Sequence, residues 1–175
     1  HVGRFHPQKN HGFLIDIFYE FLKHHPESIL LLVGDGSGRA AIRRKINRLG
    51  ISSHVCFTGS REDVPDLLQA MDVFVFPSHY EGLGISIVEA QAAGLPCLIS
   101  DTIPAECIVT KHLVVRYDLK KTPDAWAEKI TSLLHLPRKD RTDEIRQAGY
   151  DLAQAAEKLE TFYAEAERRN RSWLF

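Results

Sequence analysis

Two glutamates stand eight positions apart in residues 77–96, PSHYEGLGISIVEAQAAGLP. Glu81 precedes a glycine pair, Gly82 and Gly84, and Glu89 falls within the helical pattern that follows. If the helix begins near Gly84, its free amide N–H groups form a site for an anion. Glu89 then lies roughly 7–8 Å further along the helix axis. Carboxylates in these two positions can accept hydrogen bonds from ligand hydroxyl groups.

The alternative is that Glu81 caps the helix and that Glu89 is an exposed surface acid. Glu89, however, lies among small and apolar residues, ISIVEAQAAG, which predict a mostly buried helix. A lone buried carboxylate costs several kcal/mol unless it has partners. The pattern therefore favours a ligand contact for Glu89.

Two cations lie in the first loop, GRFHPQKN, directly after a presumed strand. Arg4 and Lys9 are five residues apart, which lets both converge on one anion. Arginine offers a planar fork and lysine a point charge, a combination suited to a diphosphate. The alternative is that both are solvated surface cations.

The GDGSGR stretch partly resembles a dinucleotide fingerprint. Arg39 stands where that fingerprint needs its third glycine, and the stretch follows the second apparent strand. A tight strand-to-helix turn with Ser37 near the helix start is the simpler interpretation. In either case Gly34 and Gly36 allow the backbone to approach a ligand closely.

Apolar runs and helical patterns alternate along the chain. The runs SILLLVG, HVCFTG, DVFVFPS, PCLISD and LVVRY are continuous, which is typical of strands buried on both faces of a parallel sheet. We therefore predict an α/β domain with a doubly wound, Rossmann-like parallel sheet of about six strands. Residues 1–120 form this core of a single domain, 1–175, and residues 121–175 add C-terminal helices.

The composition is that of an ordinary globular domain and gives no sign of a nucleic-acid-binding or membrane-spanning protein. Hydrophobic residues make up 44% and charged residues 26%, and the net charge of -1 gives no indication of nucleic-acid binding. No apolar run approaches the roughly 20 residues that span a bilayer. Three cysteines without CxxC spacing predict a reducing, cytoplasmic location. We find no cluster of metal ligands in the sequence and expect no metal.

A resemblance to a known family is carried by three stretches in unbroken order: VGRFHPQKN, LLVGDGSGR and VCFTGSREDVPDLLQAMDVFVFPSHYEGLGISIVEAQAAGLPCLISD. Together they resemble the C-terminal, donor-binding half of a family 4 retaining glycosyltransferase with the two-domain GT-B fold. A weaker match continues through AWAEKI and AGYDLAQAAEKLETFY. That tail resembles the subgroup acting in bacterial exopolysaccharide or capsule assembly.

The resemblance implies roles for the charged residues. It assigns Arg4 and Lys9 to the diphosphate of a UDP-sugar or other NDP-sugar donor, where they stabilise the leaving nucleotide. It places the transferred sugar and the distal phosphate against Glu81 and the backbone of three residues, Gly82, Leu83 and Gly84. Glu81, Arg4 and Lys9 are thus the expected catalytic residues, and no metal is required.

The nucleoside has its own predicted contacts. The resemblance assigns Glu89 to the ribose hydroxyls and places the base beside the loop from Gly59 to Arg61. It also brings the donor close to three glycines, Gly3, Gly34 and Gly36. Many family members carry paired glycines where this chain has SDTIPAE, so the role of Glu106 stays open.

The predicted function is hexosyl transfer with retention to a glycan or lipid-linked acceptor. The chain starts without methionine or a complete first strand, so we expect the N-terminal acceptor domain to be missing and the fragment to be inactive alone. We expect the C-terminal helices, which end in WLF, to pack against that domain. Any membrane association, at the inner face, would require the full-length protein. Two alternatives stay open: a nucleotide-sugar 2-epimerase of the same architecture, and a non-catalytic α/β binding domain.

Overall fold

A computed structural model describes residues 1–171, so the C-terminal WLF lies outside the described residues. Within that range five strands form parallel pairs. They are β1 (Leu30–Val33), β2 (Val55–Gly59), β3 (Phe74–Phe76), β4 (Cys97–Ser100) and β5 (Val114–Tyr117). Each strand lies within one of the five apolar runs, which confirms the strand predictions.

The strands form two hydrogen-bonded groups, β1–β2 and β3–β4–β5. Every residue of β3 and β4 is buried, whereas β2 and β5 are only partly covered. Complete burial explains why the sequences of the central strands are continuously apolar and do not alternate with polar residues.

The first three residues connect the two groups. Val2 forms an isolated parallel bridge with Val33 of β1, and the Gly3 amide donates to the Val33 carbonyl oxygen at 2.9 Å. On the other side, His1 Nδ1 lies 2.9 Å from the carbonyl oxygen of Val75 in β3. The sequence predicts about six strands. The structure has five strands, and the bridged segment at Val2 occupies the position of a further one.

Helices alternate with the strands, as predicted. The helices of residues 1–171 are α1 (His11–Leu22), α2 (Arg39–Arg48), α3 (Val64–Gln69), α4 (Ile85–Ala92), α5 (Pro123–Leu133), α6 (Thr142–Ile145) and α7 (Leu152–Arg171). The last three follow β5, in agreement with the predicted helical region. A turn with Gly149 at φ 91° separates α6 from α7.

Side chains of the central strands alternate between two hydrophobic clusters. Val75 and Leu98 pack with α1 and α5 around the fully buried Trp126. The next residues along these strands, Phe76 and Ile99, pack with α3 and α4 in the other cluster. Helices on both faces of parallel strands are the doubly wound α/β arrangement. The predicted fold class is confirmed.

Arg138, which follows α5, links the segment after α5 to the C-terminal ends of α3 and α4. Its guanidinium donates to the carbonyl oxygens of Leu68, Gln69 and Met71 at the end of α3, at 2.7–2.9 Å. It also donates to the carbonyl oxygen of Ala93 after α4, at 3.0 Å. Carbonyl groups at helix ends lack partners within the helix, and a cation suits that end of the helix dipole.

The long helix α7 projects from the domain with all its residues from 152 to 165 exposed. Its large exposed apolar side chains are Leu152, Leu159, Phe162 and Tyr163. Within residues 1–171, no helix combines the length and the apolar character needed to cross a membrane.

Candidate functional site

Two loops meet beyond the carboxyl ends of the strands. The Lys9 ammonium donates to both carboxylate oxygens of Glu81, at 2.8 and 2.9 Å. The exposed fractions of these side chains are 17% for Lys9 and 7% for Glu81. The ammonium also lies 4.7 Å from the centre of the Phe76 ring, within cation–π range. Two of the predicted catalytic residues therefore form one largely buried ion pair.

Gln8 connects the same two loops. Its side-chain Nε2 donates to the backbone carbonyl oxygen of Tyr80 at 2.9 Å. Its backbone carbonyl oxygen accepts from the His79 amide at 2.8 Å. Asn10, at φ 53°, ends the Pro7–Lys9 turn and leads into α1. The sequence does not single out Gln8, because a loop glutamine has no characteristic spacing.

Gly3 leaves room for the lysine side chain. A Cβ atom at Gly3 would lie 3.3 Å from Cε of Lys9 and 3.2 Å from Nε2 of His1. Even an alanine at this position would therefore press on the lysine stem. The structure gives Gly3 a packing role beside Lys9, and its contact with a donor stays a prediction.

The glycines of the GDGSGR turn pack against the first loop. A Cβ atom at Gly34, which has φ 133°, would lie 2.2 Å from the carbonyl oxygen of Gly3. A Cβ atom at Gly36 would lie 2.8 Å from the carbonyl oxygen of Phe5. The backbone of the first loop therefore lies directly against these two glycines. Because they lack a Cβ atom, the glycines allow this close contact and hold the loop in place. Whether they also contact a ligand stays a prediction.

The N-terminal end of α4 is open. Gly84, at φ 68°, precedes the helix, and no side chain caps it. Glu81 bonds to Lys9, so the alternative that Glu81 caps this helix is wrong. The next residues add little cover, since Leu83 is 45% exposed and a Cβ atom at Gly82 would meet nothing within 4 Å. The first amide groups of α4 are therefore available to an anion.

Glu89 is exposed on α4, so the expectation of a mostly buried position is wrong. The helix buries its neighbours Ile87 and Val88 on one face and leaves Ile85 and Glu89, four residues apart, on the other. Within residues 1–171 the Glu89 carboxylate has no hydrogen-bond or ion-pair partner. Partial burial raises the pKa of this carboxyl group. The carboxylate is free to accept from a ligand.

The remaining predicted residues lie at the surface. Arg4 is exposed and forms no ion pair with any described residue. Arg61 pairs with Asp63, with Nε 2.7 Å from Oδ1. Gly59, at φ 74°, ends β2, and its carbonyl oxygen accepts from the Gly34 amide at 2.8 Å. The base contact of this loop and the convergence of both first-loop cations on one anion stay predictions.

Residues 1–152 match the model of the family "Glycosyl transferases group 1". The chain belongs to the group 1 glycosyl transferases. The family resemblance carried by the sequence motifs is therefore confirmed.

Two relatives show the degree of sequence similarity between this group 1 glycosyl transferase and known proteins. EpsF of Bacillus subtilis (strain 168), which is named as a glycosyltransferase, is 38% identical over 157 residues, 88% of this chain and 41% of EpsF. The Escherichia coli UDP-Gal:alpha-D-GlcNAc-diphosphoundecaprenol alpha-1,3-galactosyltransferase is 34% identical over 111 residues, 62% of this chain and 29% of that protein. The chain spans less than half the length of these relatives.

A solved structure shows the same fold. The C-terminal domain of the group 1 glycosyl transferase LpcC from Francisella tularensis matches with a TM-score of 0.67. The match covers 86% of this chain and 84% of that domain, at 21% identity. The α/β fold is therefore shared with a domain of the same family.

In this group 1 glycosyl transferase, a buried glutamine positions the loop that follows β4. Gln91 of α4 is fully buried, and its Oε1 accepts from the amides of Val109 and Thr110, both at 2.9 Å. Its Nε2 donates to the carbonyl oxygens of Ile87 and Cys107, at 3.0 and 2.6 Å. All four bonds of the side-chain amide are therefore satisfied. Nothing in the sequence indicates this role, because the partners are backbone groups of another loop.

Glu106 lies in the same loop, within the exposed part of the 3-10 turn Ala105–Cys107. Its backbone carbonyl oxygen accepts from the Tyr150 hydroxyl at 3.0 Å. Among the described residues its carboxylate has no hydrogen-bond or ion-pair partner. The structure thus gives the backbone of Glu106 a structural role and leaves its carboxylate free.

Proposed function

We propose that this chain is the nucleotide-sugar-binding half of a glycosyltransferase that acts in polysaccharide biosynthesis. The complete enzyme would transfer a hexosyl group, with retention, from a UDP-sugar or another NDP-sugar to a glycan or lipid-linked acceptor. An N-terminal domain outside this chain would bind that acceptor. The observation that carries the proposal is the Lys9–Glu81 ion pair beside the uncapped start of α4.

The comparisons support this assignment. The LpcC domain that matches the chain is a C-terminal domain. The Escherichia coli relative is named for a UDP-Gal donor and for a sugar carried on diphosphoundecaprenol. These properties belong to those proteins, and they make a UDP-sugar and a lipid-linked acceptor the first ligands to test here.

The diphosphate would bind where positive charge is already in place. The Lys9 ammonium has three N–H groups, and Glu81 accepts from it with both carboxylate oxygens, which leaves one N–H for a phosphate oxygen. The free amides at Gly84 and the first residues of α4 would bind the distal phosphate. Arg4, which has no ion-pair partner among the described residues, would supply the second cation.

The two glutamates would bind the two ends of the donor. Glu81, with the backbone of residues 82–84, would contact the transferred sugar. Glu89 would accept from the ribose hydroxyls, and the loop from Gly59 to Arg61 would lie beside the base. The open N-terminal end of α4 and the free Glu89 carboxylate support this placement.

The proposed chemistry is cleavage of the bond between the anomeric carbon and the diphosphate oxygen. Both bonding electrons go to the leaving phosphate, and the sugar passes through an oxocarbenium-like transition state. Lys9, Arg4 and the α4 amides stabilise the growing negative charge. The acceptor hydroxyl attacks from the same face and transfers its proton to the departing phosphate.

We further propose that transfer needs no bound metal, because two cations and a helix N-terminus can provide the positive charge at the leaving group. Transfer by the complete enzyme should then be insensitive to EDTA. Loss of activity in EDTA that added Mg²⁺ or Mn²⁺ restores would contradict this part of the proposal.

The three cysteines support a reducing, cytoplasmic location for the domain. All three are free thiols, and Cys97 and Cys107 are buried. Burial raises the pKa of both buried thiols, which disfavours the reactive thiolate. Cytoplasmic nucleotide sugars would reach the site directly in this compartment.

Calorimetric titration of the chain with UDP-, GDP- and ADP-sugars tests donor binding. We expect the wild type to bind at least one donor and Glu89→Ala to weaken it about tenfold or more, a loss of at least one ligand hydrogen bond. Glu160→Ala, on exposed α7, is the matched control and should bind like wild type. No binding to any donor, or equal affinity of Glu89→Ala and wild type, would overturn the proposal.

The reaction itself is tested with the complete enzyme. Transfer of the hexose to an acceptor with an unchanged anomeric configuration would support a retaining glycosyltransferase. Inversion of the donor sugar at its second carbon, without transfer to an acceptor, would instead identify a 2-epimerase.

A further inference from the structure

The solvent face of α2 combines high positive charge with small side chains. The ten residues of α2 include five cations and no acid. Its exposed residues are Ala40, Ala41, Arg43, Arg44, Asn47 and Arg48, called here the α2 basic face. Because the net charge of the whole chain is -1, this face is a local concentration of positive charge on a nearly neutral protein.

Three of the five cations lack an acidic partner. Arg39 pairs with Asp35 at 3.1 Å, and Lys45 pairs with Asp16 at 2.6 Å, both at the flanks of the helix. The three arginines of the α2 basic face form no ion pair with any residue from 1 to 171. No acidic side chain within ion-pair distance therefore offsets their charge.

Packing fixes the orientation of this face. Ile46 is 2% exposed and belongs to the hydrophobic core, with Ile42 and Leu49 packed against it. The opposite side of α2 must therefore point to solvent. The other exposed residues of this face, Ala40, Ala41 and Asn47, have short side chains. They leave the guanidinium groups of Arg44 and Arg48 accessible to a flat partner, while that of Arg43 lies at the flank over the Phe57 ring.

The α2 basic face begins at the same edge of the domain as the candidate site. α2 follows the GDGSGR turn, and the Gly38 amide before the helix donates to the carbonyl oxygen of Phe5 at 3.0 Å. Phe5 adjoins the exposed Arg4 of the first loop. A partner bound to α2 would therefore lie close to the rim that holds the Lys9–Glu81 pair.

We propose that the α2 basic face docks this domain on an anionic phospholipid bilayer, although the sequence alone predicts that membrane association requires the full-length protein. Each Lys or Arg near an anionic membrane contributes about 1 kcal/mol, so several guanidinium groups on one rigid helix give reversible binding. The face has no large apolar side chain to insert, so binding depends on charge and weakens as salt increases. Docking would bring the candidate site to the surface where a lipid-linked acceptor resides, a consequence that rests on the proposed function.

A bilayer suits this face better than a nucleic acid does. Binding of single strands relies on aromatic rings on which bases stack. The nearest ring on this side, that of Phe57, already lies beneath Arg39 and Arg43, with guanidinium carbons 5.5 and 5.3 Å from its centre. The α2 basic face therefore offers charge for phosphates and no open surface for a base.

Vesicle flotation tests the proposal, using phosphatidylcholine alone and an equal mixture of phosphatidylcholine and phosphatidylglycerol. The wild-type chain should float with the mixed vesicles at low salt and dissociate at high salt. The triple variant Arg43→Gln, Arg44→Gln, Arg48→Gln should bind mixed vesicles roughly 100-fold more weakly, as expected for three lost charges. A control variant loses the same charge elsewhere through Lys111→Gln, Lys121→Gln and Lys158→Gln.

The outcomes separate the alternatives. The control variant should retain binding within a few-fold of wild type, and an equal loss in both triple variants would overturn the proposal. So would wild-type protein that ignores phosphatidylglycerol, or that binds a single-stranded RNA more tightly than the mixed vesicles. Urea unfolding checks that each variant is folded. If the triple arginine variant is unfolded, the double variant Arg44→Gln, Arg48→Gln is tested in its place. Since no donor is added, failure here leaves the proposed function untouched.

Discussion

Lys9 and Glu81, 72 positions apart in the chain, share two hydrogen bonds of 2.8 and 2.9 Å at the carboxyl edge of the sheet. Each holds the other in place, and Phe76 packs beneath the ammonium. A ligand that needs a cation for a phosphate and a carboxylate for a hydroxyl would find both groups already oriented. Such preorganisation lowers the cost of binding and of stabilising charge in a transition state.

Breaking the Lys9–Glu81 pair should destabilise the domain. Glu81→Gln leaves the Lys9 ammonium buried without its carboxylate and should lower the free energy of unfolding by about 3 kcal/mol, the lower end for a broken buried pair. Replacing both residues, Lys9→Met with Glu81→Gln, should restore much of the loss because no lone charge remains. Urea unfolding measures both variants.

The surface pair Lys23–Glu20, with side chains 50% and 28% exposed, is the matched control. Its coupling energy in a double-mutant cycle should be much smaller than that of Lys9–Glu81, because solvent screens an exposed pair. If the Lys9–Glu81 coupling is equally small, the pair does not hold the two loops together. The stabilised double variant should still bind no nucleotide sugar, which separates the structural role from donor binding.

Gln8 should affect donor binding without touching the donor. Gln8→Leu preserves the size of the side chain and removes its bond to the Tyr80 carbonyl oxygen, so we expect a loss of about 1 kcal/mol in unfolding free energy. Looser loops should also weaken donor affinity by roughly tenfold, about 1.4 kcal/mol. Gln154→Leu on exposed α7 should change neither quantity. Unchanged calorimetric affinity in Gln8→Leu would show that the bond does not position the site.

Much of the fold could be predicted from the sequence because the signals were local. The strand LLLV of β1 and the wholly buried strand CLIS of β4 lie within continuous apolar runs of the sequence. Contacts between distant segments gave no such signal. Arg138 looked like any charged loop residue, although its four backbone acceptors lie up to 70 positions away.

For the candidate site, the sequence indicates which residues belong to it better than it indicates their burial and their contact partners. Lys9 and Glu81 were identified separately, and only the tertiary structure shows them as partners. Burial of Glu89 was overestimated because small neighbours on a short helix cover only one of its faces. The sequence predicts that Gly34 and Gly36 let the backbone approach a ligand closely, and the structure shows the first loop close to both glycines. Their contact with a ligand stays a prediction.

Two glycines should respond to alanine in opposite directions. A Cβ atom at Gly34 would lie 2.2 Å from the Gly3 carbonyl oxygen, so Gly34→Ala should cost more than about 3 kcal/mol or prevent folding. Gly12, in α1, has nothing within 4 Å of its Cβ position, so Gly12→Ala should stabilise by about 0.5–1 kcal/mol. Thermal unfolding compares them. A mild effect at Gly34 would mean that the first loop can move aside.

His11 should make stability depend on pH. The residue is 4% exposed, and its ring stacks on Phe5 with centroids 4.3 Å apart. Burial, followed by the positive charges of the amino terminus and Lys9, lowers its pKa to about 4. An unfolded histidine has a pKa of about 6.5, so between these values only the unfolded chain binds the proton. The free energy of unfolding should therefore fall by up to about 3 kcal/mol as the pH decreases from about 6.5 to about 4.

The variant His11→Gln tests this origin of the pH dependence. Its unfolding free energy should change less over the same range, because the His11 ring no longer titrates. The buried amino terminus, whose pKa burial lowers to about 5, should retain its own share of the pH dependence. His24→Gln removes an exposed histidine and should keep the wild-type dependence. Identical pH profiles for wild type and His11→Gln would assign the effect to other groups.

Arg138 should be one of the most important arginines for stability. Its guanidinium donates to four backbone carbonyl oxygens at the ends of α3 and α4, at 2.7–3.0 Å. Arg138→Gln should lower the free energy of unfolding by about 2–4 kcal/mol, because hydrogen bonds from charged groups contribute about 1.5–3 kcal/mol each and some carbonyls regain water. Arg138→Lys should recover only part of it, since an ammonium cannot reproduce the planar fork. Arg44→Gln, on exposed α2, should stay within about 0.5 kcal/mol of wild type in urea unfolding.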